Sequence, residues 1–397
     1  MYFRSALFAS LVAGSVAQGD LLGNIAQALN ASGLSGFAGL LPVLNSTTTG
    51  QAIIRQVLSG GNFSFFVPTN DALSTIPSSV TSDAETLARI VSYHVLKGNF
   101  TSGHNLTTAT LPEVTIGRTL LNDSNFVHLE GNRAQVLVWG KNAEGQVQIL
   151  NQPENTTVQS EVQVGGFGIY PINHVLTPPA AFSQAVTANN VNTVIGILNN
   201  TQIPVGDQNQ SFTSYLDSDA IRGFTFFVPN DAAIQAASAA LQELGSNPTL
   251  LLTVLGNHII NGTTLYSTTL TNSTSASGEP LTFHTNSTGT FVTSGNSTAR
   301  IVNPNVLLKN GVAHIIDTVL ANTQSNPQAA QEAASQAAQK ANQTPVENGP
   351  IQSPAGGGNG SAHSSGNSGN NGVLSVAVGR EMVASIIGMV VLGVYLA

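Results

Sequence analysis

Apolar and polar positions run along this chain in two rounds, and the second round restates the first. Round one opens with LLGNIAQAL (21–29), whose apolar residues recur at helical spacing. It then reaches FFVPTNDALSTI (65–76). Two aromatics and a Val suit a buried strand. The Pro ends the ladder because it has no N–H to donate. Asn70 and Asp71 follow as helix-capping types, and a run opening on Ala predicts a helix. Round two opens with the helical FSQAVTANNVNTVIGIL (182–198) and repeats the joint as FFVPNDAAIQAA (226–237), with Asn230 and Asp231 at the caps. Short strand-like segments close each round: AQVLVWG (134–140) and GQVQIL (145–150), then TFVTSG (290–295) and ARIVNP (299–304). Helices gathered before and around a mostly antiparallel sheet predict an α+β fold.

The repetition extends further. VSYHVLKG (91–98) is echoed by LGNHIING (255–262), and IYPINHVL (169–176) by AHIIDTVL (313–320), in the same order. This is a domain duplication, with halves at 20–179 and 181–323. TPPA (177–180) makes a short, stiff joint, so half two is expected to fold alone. The second joint reads VPND where the first reads VPTND, which suggests one residue fewer at that turn. After Thr323 the pattern changes. NPQAAQEAASQAAQKANQ (326–343) is rich in helix formers but has no large apolar face, which predicts a solvated helix. GPIQSPAGGGNGSAHSSGNSGNNG (349–372) reads as a flexible spacer, so residues 324–371 are expected to form a disordered stalk.

Composition sharpens this picture. Of 397 residues, 41% are hydrophobic but only 8% are charged, with net charge −8. An average globular protein has about 25% charged residues. Solubility therefore has to come from Ser, Thr, Asn and Gln, or from groups attached to them. No basic cluster exists to neutralise phosphates, so nucleic acid is not an expected partner. With no cysteine, disulfides, thiolate chemistry and Cys-ligated zinc are excluded.

Both ends read as addresses. MYFRSALFASLVAGSVAQG carries one Arg, an apolar run and small residues, as a secretory signal cleaved after Ala17 does (1–17). MVASIIGMVVLGVYLA (382–397) is apolar, and its sixteen residues span roughly 24 Å as a helix, short of the ~30 Å hydrocarbon core. Small residues and a nine-residue spacer (373–381) precede it, within the ~8–12 of a glycosylphosphatidylinositol (GPI) signal. The expectation is attachment at Asn370, with Ser368 and Asn371 as rivals, and removal of 372–397. A retained membrane helix is the alternative. Fifteen Asn-X-Ser/Thr sequons fit that route: Asn30, Asn45, Asn62, Asn99, Asn105, Asn122, Asn155, Asn199, Asn209, Asn261, Asn272, Asn286, Asn296, Asn342 and Asn359. Glycans on many of them would supply the hydration that the missing charges do not.

The three repeated phrases, in this order in each half, resemble the fasciclin domain of surface and matrix proteins. FFVPTNDAL resembles that family's first block, Tyr93-His94 its central dipeptide and NGVAHIIDTVL (310–320) its closing block. The resemblance covers about residues 20–322. It implies two wedge-like β-sandwiches with packed helices and roles in adhesion or matrix contact. With the signal and GPI readings, the chain looks like a fungal fasciclin-like surface protein. Its departures are Asn257 in place of the Tyr, and Tyr170 and Asn173 where the second half has His314 and Asp317.

No sequence pattern carries catalysis. GLSGF (33–37) is not a G-x-S-x-G elbow, and no HExxH, P-loop or dinucleotide pattern occurs. DSD (217–219) lacks the remaining acids of a calcium loop and reads as a polar turn. His94 and His258 read as core-edge imidazoles bonded to backbone. The competing reading groups Asn70, Asp71, Tyr93, His94, Asn230, Asp231 and His258 as an adhesive contact set. No cofactor, metal or catalytic residue is expected. The expected partners are wall or matrix polysaccharide or protein, or another surface protein, with a GPI-anchored location at the plasma membrane or wall. The alternatives are a tethered lipid-binding or hydrolytic protein, or a single-pass protein of the vacuolar membrane. A deep apolar pocket with His94 or His258 at its mouth would favour the lipid-binding or hydrolytic one.

Overall fold

The computed structural model describes residues 18–98, 100, 106–164, 167–342, 347 and 349–352. The signal reading (1–17), the GPI tail, Asn99, Asn105, Asn359 and Asn370 lie outside the described residues.

In each half the repeated aromatic strand lies inside a sheet, between two partner strands. Phe63–Pro68 pairs antiparallel with Val95–Lys97 and parallel with Phe167–Ile172, which places Phe66 opposite Tyr170. Phe224–Pro229 does the same with Ile259–Asn261 and Gly311–Ile316, which places Phe227 opposite His314. The first and closing blocks are therefore parallel neighbours, and the rest of each half is their crossover. Pro68 and Pro229 end the strands as expected, and the next N–H turns back to the neighbouring strand. Thr69 N–H donates to the Ile172 carbonyl and Asn230 N–H to that of Ile316, both at 2.9 Å. That register corrects the sequence comparison. Thr69 corresponds to Asn230, Asn70 to Asp231 and Asp71 to Ala232, so the second turn lacks no residue.

Each half is a sandwich with a helical outer layer. In half one, helices bring Leu29, Phe37, Leu44 and Val91 against Val67 and Ile169 on one face of the central sheet. On the other face Phe66 and Tyr170 meet Leu137 and Trp139 of a second sheet. That second sheet is antiparallel, in the order Thr115–Arg118, Val136–Lys141, Val147–Ile149, Thr156–Thr157. In half two the corresponding strands form one seven-stranded sheet, because Ser297–Leu308 runs through both layers. Its register shifts between Ile301 and Asn303 and again before Val306, with Asn305 at φ 59°. Such a bulge bends a strand enough to change layers.

The halves are not independent bodies. Ile116, Val136 and Val138 of half one pack with Tyr266, Leu307 and Val312 of half two in one buried cluster. Glu130 reaches across the joint. Its carboxylate accepts from the Thr264 N–H at 3.2 Å and the Thr264 hydroxyl at 2.7 Å. Gly223 makes this possible: at φ 74°, its Cβ would lie 2.3 Å from a Glu130 oxygen. His128 N–H donates to the Lys309 carbonyl at 2.7 Å, and Gln135 Nε2 donates to that of Leu308 at 2.9 Å. Stiff Pro spacing did not reveal this interface, across which half two buries apolar surface against half one.

The segment after Thr323 also departs from a stalk over its described part. Asn326 caps the helix Pro327–Ala341, its side chain accepting from Ala329 N–H at 3.1 Å. The helix is docked. Ala330 and Ala337 are buried, and Gly131 of half one, at φ 65°, leaves room for the Ala341 carbonyl, 2.2 Å from where a Cβ would be. Beyond it Glu347 and Ile351 return to the domain boundary. A small-residue face suffices where backbones approach closely, which is why no large apolar stripe marks it.

Candidate functional site

The repeated blocks converge on two imidazoles. His94 follows the helix Ala84–Tyr93 and His258 follows Pro248–Gly256, so each ring folds back on the last turn. His94 Nδ1–H donates to the Ile90 carbonyl at 2.9 Å, and its Nε2 accepts from Leu176 N–H at 3.0 Å. His258 repeats this with Val254 at 2.8 Å and Leu320 N–H at 2.9 Å. Both rings are 2% exposed. Each ring ties the central block to the closing block, as a neutral Nδ1–H tautomer with both nitrogens used. Burial lowers each from 6.5 to about 4, against the opposing pull of the backbone bond. An imidazole so placed has no free nitrogen for a proton, a metal or a partner.

Tyr93 is fully buried and donates its hydroxyl to the Val136 carbonyl at 3.1 Å. Its counterpart Asn257 does different work. Its Nδ2 donates to the carbonyls of Asn322 and Gln324, both at 2.9 Å, fixing the exit toward the C-terminal helix. Thus the Tyr-to-Asn departure belongs to the half that continues into another element. The other two departures keep their jobs. Asn173 accepts from Thr157 N–H at 2.7 Å as Asp317 does from Arg300 N–H at 2.8 Å. Tyr170 packs on Phe66 at 5.5 Å and His314 stacks on Phe227 at 5.5 Å.

The cap residues divide their work differently from the sequence reading. Thr69, not Asn70 or Asp71, caps its helix, accepting from Ala72 N–H at 3.3 Å. Asn70 instead accepts from Gly36 N–H at 2.8 Å and donates to the Gly33 carbonyl at 3.1 Å, holding an earlier helix start. In half two Asn230 is the cap, with Ala233 N–H at 2.8 Å, and Asp231 holds the earlier helix through Asn192 and Thr193 N–H at 3.0 and 2.9 Å. Asp71 is exposed and its side chain caps nothing. The contact set is therefore split: Tyr93, His94 and His258 are interior, while Asn70, Asp71, Asn230 and Asp231 lie at or near the surface. Sequence reasoning missed Thr69, Glu130 and Arg118. Thr69 was legible from ungapped alignment of the two joints.

Two further observations bear on chemistry. Among the described residues no three His, Asp or Glu gather as a metal site. A wholly apolar void lies between the helices and sheet of half one, beside Ile25, Leu41, Ile54, Val57 and Phe65. It encloses about 50 Å³, against the roughly 300–1,000 Å³ of a ligand pocket. His94 does not line it. By contrast, the described sequon asparagines face outward: Asn30, Asn45, Asn62, Asn122, Asn155, Asn199, Asn209, Asn272, Asn286, Asn296 and Asn342 are exposed, and Asn261 is half-buried. Among the described residues no helix is long and apolar enough to cross a membrane.

Two α+β units with matching register, each fastened by the same buried imidazole, define a duplicated domain. The chain belongs to the fasciclin family: the Fasciclin domain profile matches residues 39–178 and again 183–322. Fasciclin domains are associated with cell adhesion and with cell-surface or matrix proteins. A fasciclin-like arabinogalactan protein of Arthroderma benhamiae is 25% identical over 241 residues, which span 60% of this chain and 52% of that protein. The chain thus matches about half the length of that relative. The solved FAS1 domain pair of the insect cell adhesion molecule fasciclin I covers 72% of this chain and 96% of its own, at 16% identity and a TM-score of 0.31.

Proposed function

We propose that this chain is a non-catalytic glycoprotein displayed at the cell surface, held by a GPI anchor and in contact with wall or matrix polysaccharide or protein. One observation carries this reading. The sequon asparagines lie on the outside of both halves, while the imidazoles of the repeated blocks are spent on internal bonds. The outer surface is polar: Val302 is the one exposed large hydrophobic side chain among the described residues. A partner of matching chemistry is hydroxyl-rich, as a polysaccharide or a glycosylated protein is.

The test has two parts. Phosphatidylinositol-specific phospholipase C, after inositol deacylation where needed, is expected to release the protein from membranes without detergent. Recovery of a peptide containing residues 394–397 from the mature protein would overturn the anchor. Purified glycosylated protein is expected to be retained by insoluble wall material and to mark a subset of a glycan array. Retention equal to that of a heat-unfolded control would overturn the contact role.

A further inference from the structure

The described end of the chain sits in the cleft between the two domains as a bound peptide would. Three features hold it. Glu347 takes a two-point ion pair from Arg118, whose Nε donates at 2.5 Å and Nη2 at 3.0 Å, and the Arg118 side chain is only 8% exposed. Ile351, itself buried, enters the cluster made by Ile116 and Val138 of one domain and Tyr266 and Leu307 of the other. The backbone of Ile351 is used on both sides: its N–H donates to the Ile116 carbonyl at 2.8 Å, and its carbonyl accepts from the Thr268 hydroxyl at 2.6 Å.

Ile116 belongs to Thr115–Arg118, the edge strand of its sheet. An edge strand offers unpaired backbone groups, and addition of an extended segment there, with pockets for spaced side chains, is a known mode of peptide recognition. All the elements of that mode are present: an edge carbonyl, an arginine fork for a carboxylate and an apolar hole shared by two domains. Arg118 is further fixed by donating Nη1 to the Ala134 carbonyl at 2.8 Å, and its guanidinium lies 5.9 Å from the Tyr266 ring centre. Without Glu347, a buried cation would lose its counter-charge, a strong demand for an acidic occupant.

We propose that Glu347 and Ile351 are the anchors of a peptide ligand held in cis, and that the interdomain cleft accepts the same two anchors from a second copy of this chain. The recognised pattern is an acidic residue followed four positions later by an aliphatic one.

The cleft is vacated in the full chain by Glu347→Lys with Ile351→Asp, and a fluorescent peptide of sequence 345–353 is titrated. Saturable binding is expected, at least tenfold tighter than to the unaltered protein, whose own segment competes. Peptides with the Glu replaced by Gln or the Ile by Ala are expected to lose at least tenfold. A double variant that melts cooperatively yet binds no peptide overturns the proposal, as does equal binding to the unaltered protein. A second measurement covers a variant that fails to fold. A protease site is inserted between Thr344 and Pro345 of otherwise unaltered protein and cut. The released end is expected to stay bound at high concentration and to leave on dilution or on adding the peptide. Immediate loss at every concentration, from a body that melts as before, overturns the proposal.

Discussion

Among single residues, the two histidines argue most directly for structure over chemistry. With His314, whose Nε2–H donates to the Leu265 carbonyl at 2.8 Å, three imidazoles are buried neutral and pushed by burial from 6.5 to about 4. The unfolded chain takes up these protons as pH falls below 6.5, while the folded chain resists until about 4. Their contribution is therefore complete above 6.5 and is lost as the pH falls through that window, on the order of several kcal/mol in total. Thermal midpoints measured from pH 7.5 to 4 are expected to drop across it, and His258→Gln, already less stable at neutral pH, to show a flatter profile. A level profile for the unaltered protein would contradict the assignment. The caps give a sharper contrast. Thr69→Ala is expected to cost about 1 kcal/mol. Asp71→Ala, which removes no cap and only a first-turn charge, should cost less than about 0.5 kcal/mol. Urea midpoints separate the two. A larger loss at Asp71 would restore the sequence reading.

The same logic extends to whole elements, where close approach replaces hydrogen bonding as the deciding term. The helix Pro327–Ala341 lies where it does because Gly131 has no side chain. Gly131→Ala puts a methyl against the Ala341 carbonyl at a positive φ, so this helix is expected to undock. Limited proteolysis should then cut within 326–342 at least several times faster, with the fasciclin pair still folded. Unchanged protection would mean that the helix is held elsewhere. Elements also show what a sequence discloses. The strand, turn and helix at 65–76 were legible because aromatics, Pro and capping types each have one natural place. The break between 182 and 198 was not, since that stretch read as one helical run; Asn190 at φ 60° separates two helices there. Val136–Trp139 was legible in principle: four apolar residues without alternation signal burial on both faces. Leu137 and Trp139 face the domain core while Val136 and Val138 face the other domain. Glu130 was not legible. An acid becomes an interior anchor only because a glycine and a threonine far along the chain make room for it.

At the scale of the whole molecule, the two halves share one buried cluster, so the pair is expected to unfold as one body. The fragment 181–323 would bare Tyr266, Leu307 and Val312, all buried in the pair. It is expected to melt well below the intact protein and to associate, whereas intact protein should give one calorimetric transition. Two separated transitions would count against that coupling. The parallel pairing of first and closing strands has a further consequence, for synthesis. The parallel pair in each half is completed by that half's last-made strand, and such distant pairings form late. Neither domain can close until its final block has left the ribosome. On the proposed reading as a glycoprotein, several sequons need that delay. Thr47, two residues after Asn45, is buried in the folded domain with its hydroxyl capping the next helix, and Thr157 and Thr201, which follow Asn155 and Asn199, are buried as well. An enzyme that reads the asparagine together with its threonine can reach them only in the nascent chain. The order in which this protein emerges would therefore set the interval in which it can be given its sugars.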